Sequence, residues 1–152
     1  MLFIDTKMNE MSKNFVWSED LIKRENITVV GIGALVLNGL STRCLETNLG
    51  VLTRESSLAN YWSGIYRYIY IPDYERGLGF SDGDNVPCAE RAICDYLKYK
   101  DFLPEAEVSE AIEMYEEDPD YADTEKIVKF GVDWGLPEKD IRQLIFDCVG
   151  HY

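Results

Sequence analysis

The residues able to do chemistry in this chain of 152 residues are few and scattered. Its one histidine, His151, stands next to the last residue, too isolated to act as general base for a serine or cysteine nucleophile. The four cysteines, Cys44, Cys88, Cys94 and Cys148, are irregularly spaced and form no Cys-x-x-Cys pair, so neither a zinc site nor a disulfide framework is expected. Cys94 and Cys148 fall at apolar positions of helical patterns, where a thiol acts as a small hydrophobe. Gly31-x-Gly33 lacks the third glycine of a dinucleotide fingerprint and the Gly-Lys-Ser/Thr ending of a phosphate loop. Asp82-Gly83-Asp84 has turn composition, without the distal glutamate of a calcium loop. Carboxylates are abundant, but no motif selects two of them as a glycosidase acid and base. The expectation is no enzyme, no metal and no cofactor.

What remains is the chemistry of surfaces. Twenty-eight acidic residues against 15 Lys and Arg leave a net charge of −13, and the imbalance is local. Residues 1–100 hold 13 acids and 11 cations, whereas residues 101–152 hold 15 acids and 4 cations, a net of −11. Such a surface repels phosphate, so direct DNA binding is not expected and a basic protein partner fits better. Glu107, Glu110, Glu113 and Glu117, on the polar side of one helical pattern, are candidate partner-binding residues. Tyr66, Tyr68 and Tyr70, on one face of an alternating strand, are candidates of a different kind, because tyrosine is enriched at interfaces. The plainer alternatives are an acidic face that only keeps the chain in solution, and rings that lie beneath the C-terminal helices or stack on bases.

These groups need elements to hold them. Residues 1–17 read as an arm, and residues 18–152 as one α+β domain of a size that folds without staples. Ser18 caps a short helix that begins Glu19-Asp20. Ile27–Val30 is β-branched and strand-like, and Ala34–Leu37 is helical. Leu45, Thr47, Leu49, Val51 and Thr53 share one parity of a strand, and Ile65–Ile71 alternates in the same way. A small mixed or antiparallel sheet over about residues 44–80, with room for one more short strand before Pro87, is therefore expected to pack with N-terminal and C-terminal helices. Val108, Ala111, Ile112 and Tyr115 recur at helical spacing, and Asp118-Pro119 stops that helix. The next helix starts at Asp123 or Thr124 and carries Ile127, Phe130, Gly131 and Trp134 inward. The last follows Pro137, with Ile141, Leu144, Ile145 and Cys148 on its apolar side. No apolar run approaches the roughly 18–20 residues of a membrane span, and the N-terminus is unlike a secretory signal, which places the chain in the cytoplasm.

One stretch carries a family likeness. The helix Glu90-Arg91-Ala92-Ile93-Cys94-Asp95, then Val108-Ser109-Glu110-Ala111-Ile112, then the segments Lys126 to Phe130 and Ile141 to Val149, resemble the AbiEi-like antitoxins of bacterial abortive-infection (type IV toxin–antitoxin) systems. Gly33–Ser41 is similar to that family's Ala-Leu-x-x-x-Gly-Leu helix, so the likeness spans roughly residues 27–149. It implies a non-catalytic antitoxin-type protein that neutralises a nucleotidyltransferase-like toxin encoded nearby. Family members usually carry an N-terminal winged helix, for which the residues before position 27 are too few. Glu90, Arg91 and Asp95 are the polar residues of the shared motif. Arg91 and Asp95, four apart, can pair across a helical turn, or Arg91 can cross to the sheet and bond backbone carbonyls. The alternative function is an acidic phage- or mobile-element-encoded inhibitor, anti-CRISPR-like, that mimics nucleic acid in the basic groove of a defence nuclease.

Overall fold

A computed structural model describes residues 27–42, 49–63, 66–81 and 83–149. The expected Ser18 helix, the N-terminal arm, Cys44 and His151 lie outside these residues. The chain enters with residues 28–30 laid antiparallel along the outer edge of a small sheet, Val30 N–H donating to Gly50 O and Leu52 N–H to Thr28 O. It turns at Gly31 into helix α1 (Ile32–Leu37). Strand β1 (Leu49–Thr53) follows, then a 3-10 turn (Ser56–Leu58), β2 (Trp62–Ser63) and β3 (Tyr66–Tyr70).

The sheet is mixed. β3 lies in the middle, parallel to β1 with Val51 opposite Tyr68, and antiparallel to β2 with Trp62 opposite Arg67. Sequence alternation locates β1 and β3 but is blind to their relative direction, because period two is the same in both ladders. β2 was hidden in the connection between them. The segment before Pro87, where a further strand had room, forms none among its described residues and runs as an irregular loop.

Four helices complete the fold: α2 (Ala89–Lys98), α3 (Ala106–Glu117), α4 (Glu125–Asp133) and α5 (Glu138–Val149). None among the described residues is long and apolar enough to cross a membrane. Val108, Ala111, Ile112 and Tyr115 of α3 are fully buried, as their spacing predicts. Ile127 and Gly131 of α4 and Ile141, Leu144 and Cys148 of α5 are buried too, while Phe130, Trp134 and Ile145 are half-buried and Val128 joins the core. Gly131 sets how closely α4 and α5 approach, since a methyl group there would strike the Ile141 side chain.

Helix α2 is the pivot, touching α1, α3, α4 and α5. The amphipathic pattern predicts one buried face. Instead Ala89 and all six residues from Arg91 to Tyr96 are buried, so the polar side of α2 is covered at Arg91 and Asp95, while Glu90 is half-buried and Lys98 exposed. One buried apolar cluster, from Val29 to Cys148, wraps this helix.

Candidate functional site

What covers the polar side of α2 is the loop that leaves β3, and Arg91 holds it there. Its side chain has 0% exposure. Nε donates to Asp95 Oδ1 at 2.7 Å, Nη1 to Leu78 O at 2.7 Å, and Nη2 to Glu75 O. A guanidinium offers its donors in a fixed planar fork, which is why one residue can tie a neighbouring carboxylate and two separate carbonyls at once. Three rings surround it, with centroids 3.9 Å (Trp134), 4.9 Å (Tyr74) and 5.2 Å (Phe80) from the guanidinium carbon. Their π-faces replace part of the hydration the cation has lost.

Asp95, also at 0% exposure, accepts a second hydrogen bond from Tyr74 OH at 2.7 Å. Burial pushes its carboxyl up to about 6, and the charge and hydrogen bond of Arg91, then the Tyr74 hydrogen bond, oppose a larger rise. Tyr74 is itself driven well above the usual phenol range, by burial first and the Asp95 charge second. Tyr99 packs tilted against Tyr74, centroids 4.9 Å apart, and its hydroxyl accepts from Glu75 N–H at 2.8 Å. Gly79 makes the close approach possible. Its φ of +90° suits glycine, and a methyl group there would collide with the Arg91 side chain and the Phe130 ring.

This cluster is a dense buried network of charge and polar contact, yet a substrate cannot reach Arg91 or Asp95. Of the two geometries open to Arg91, the fold combines both: the i,i+4 pair forms, and the guanidinium also bonds carbonyls, in the loop after β3 and not in the sheet. Glu90, the third motif residue, is half-buried and accepts from Tyr115 OH at 2.7 Å, joining α2 to α3. Burial, with Glu90 beside it, drives the Tyr115 hydroxyl far above its ordinary range. Cys94 and Cys148 are both buried, as their apolar positions suggest, and burial pushes the Cys94 thiol up to about 12, which keeps it protonated and unreactive.

The surface candidates divide. Glu113 and Glu117 are exposed with no intramolecular partner bond among those described. Glu110, though exposed, accepts from Thr42 N–H at 3.0 Å. Glu107 is half-buried and accepts from Tyr96 OH at 2.8 Å. Tyr68 and Tyr70 are half-buried, Tyr68 stacked on Tyr61 and Tyr70 meeting the edge of Phe102. The position of the Tyr66 side chain lies outside the description. Beside the sheet, Tyr61 and Trp62 face solvent instead, at 55% and 49% exposure, with Arg67 against Trp62.

No family model, curated protein or solved structure matches this chain. The site alone therefore supports any functional reading. Sequence reasoning missed Tyr74, Phe80, Tyr99 and Trp134 as the setting of Arg91, since they come from the loop after β3 and from the ends of α2 and α4. The one available signal was a charged residue beside Ala92 and Ile93 in a helix that otherwise reads as core.

Among the described residues, 105–147 carry 14 carboxylates against four cations, Lys126, Lys129, Lys139 and Arg142. Two of those cations are already engaged: Lys129 with Asp133 at 3.2 Å, and Arg142 with Glu125 at 2.8 Å and Glu138 at 2.9 Å. The carboxylates left over are mostly exposed and spread over α3, α4, α5 and their connections.

Proposed function

We propose that this chain is a non-catalytic neutralising protein, which binds a basic, nucleic-acid-handling protein partner through the acidic outer surface of α3 to α5 and blocks it. The observation that carries this reading is the uncompensated charge: 14 carboxylates, four cations, and two of the four held in intramolecular pairs. A surface of that kind draws a basic groove by long-range attraction and competes with phosphate for it. The sealing of Arg91 and Asp95 at 0% exposure favours a role in holding the fold over a role in turnover.

Within this class, the antitoxin assignment rests on the Glu90–Asp95 resemblance, with a nucleotidyltransferase-like toxin as partner. Within that assignment the buried Arg91 and Asp95 hold the fold, and Glu113, Glu117 and their neighbours recognise the partner. The inhibitor of a defence nuclease uses the same surface against a different basic groove, and the charge favours it equally.

Co-expression with the product of the adjacent gene tests the proposal. The wild-type chain is expected to relieve toxicity or nuclease activity. The triple variant Glu113→Lys, Glu116→Lys, Glu117→Lys, all at exposed positions, is expected to fail while folding normally. In binding assays, affinity should fall steeply as salt rises from about 50 to about 300 mM, because the Debye length shrinks across that range. Undiminished rescue by the triple variant, or affinity indifferent to salt, would refute the acidic-surface reading.

A further inference from the structure

A groove runs between the C-terminal end of α2, the start of α3 and the outer side of α5. Its volume is ≈ 270 Å³. That lies below the roughly 300–1,000 Å³ of sites built for cofactors or drug-sized ligands, and is better matched to one side chain. The floor is apolar: Leu97 from α2, Leu136 and Pro137 from the turn between α4 and α5, and Leu144 from α5. Leu144 is 2% exposed, Leu97 and Leu136 are half-buried and Pro137 is exposed, so the floor is firm at its base and open above.

The rim has a sign. Glu105, Asp140 and Asp147 stand around it against a single ammonium, Lys100. Gln143 Nε2 donates to Asp147 Oδ1 at 2.7 Å, which orients one of those carboxylates. A second open hollow among the described residues, bordered by Glu90, Asp120 and Asp133 with Lys126 and Lys129, is less negative, and its Asp133 is already paired with Lys129. The first groove joins an apolar floor of four side chains to a rim of three carboxylates against one cation.

We propose that this groove is the anchor point for the partner: it takes one large apolar side chain, leucine or aromatic, carried on a Lys- and Arg-rich segment of a protein. The inference rests on the reading of the chain as a binder of basic protein, and adds to it the place and the chemistry of the contact. Interfaces concentrate their affinity in a few apolar anchors seated in pockets, while surrounding charges steer the encounter and fix the register. Here the floor supplies the first and the rim the second. A nucleic acid, repelled by the rim, is not an occupant.

The test uses the full chain and two short fluorescent peptides of lysine and arginine, one with a central leucine and one with serine in its place. Burying the leucine should make its peptide bind about tenfold tighter in anisotropy titrations. Gln143→Trp, at an exposed position, should fill the groove and abolish the preference for leucine. Asp140→Lys with Asp147→Lys should weaken both peptides. Equal affinity for the two peptides, or a leucine preference that survives Gln143→Trp, overturns the anchor. If the peptides bind equally and with strong salt dependence, the anchor is refuted and the acidic-surface reading stands. If neither binds, both fail together.

Discussion

Replacing Arg91 by alanine removes the cation from a place where nothing can substitute for it. The side chain is fully buried, bonds Asp95 and the carbonyls of Glu75 and Leu78, and lies against Trp134, Tyr74 and Phe80. Deleting one partner of a buried ion pair typically costs about 3–5 kcal/mol, because the remaining charge is left uncompensated. Lost cation–π contact adds on the order of 1–2 kcal/mol at a desolvated site. Asp95 limits the damage by taking up a proton, so a net loss of about 3–5 kcal/mol is the expected figure. Against a typical total stability of about 5–15 kcal/mol, that loss brings the protein close to its unfolding threshold. Arg91→Lys should recover little of it, since an ammonium lacks the planar fork that reaches a carboxylate and two carbonyls together. Urea unfolding followed by circular dichroism measures the loss, with Asp95→Asn and the double variant completing a mutant cycle. The double variant should lose less than the sum of the two single losses, because the second change removes a charge that the first left unpaired. A loss below about 1 kcal/mol for Arg91→Ala would refute the claim that this residue fastens the loop to α2, since surface-like changes fall in that range.

Two further predictions follow from the same cluster. Asp95 has its carboxyl raised to about 6 in the folded chain against an ordinary 3.8, so its contribution to stability is complete below the lower value and lost as pH rises through the upper one. Acidifying from about pH 7 to about pH 5 should therefore raise the urea midpoint of the wild-type chain more than that of Asp95→Asn, and equal slopes would contradict the shift. Gly79→Ala should destabilise by at least about 1–3 kcal/mol, since a side chain at φ +90° is strained and its methyl group meets Arg91; thermal unfolding would reveal it, and an unchanged midpoint would show that the loop yields freely.

Much of the fold was legible in the residues because local chemistry dictates it. The i, i+3, i+4, i+7 spacing of Val108, Ala111, Ile112 and Tyr115 locates α3 and its buried stripe, and Pro119 after Asp118 ends it. The alternation around Leu52 and Ile69 marks β1 and β3. Their parallel pairing was not legible, because it depends on the chain leaving β1 to reach β2, at the far side of β3, before β3 itself forms. The surface candidates show the same division. Glu113 and Glu117 stay exposed as an acidic helix face suggests, whereas Glu107 is drawn to Tyr96 by a neighbouring helix that sequence spacing does not record.

By itself, the sequence located α2 to α5, β1 and β3 and showed where the charge accumulates, since periodicity, breakers and composition act over a few residues at a time. Tertiary structure decided what Arg91 and Asp95 are for. Their separation of four allows a weak exposed pair as readily as a buried one, and only the arrival of Glu75, Leu78, Tyr74 and Trp134 from elsewhere in the chain removes the water. The same holds for the groove above Leu144, whose walls come from α2, α5 and the turn before it, and whose rim acquires its sign only when Glu105 meets Asp140 and Asp147 in space. Desolvation and charge convergence are properties of the assembled chain, because each depends on distances between residues that the order of amino acids leaves free.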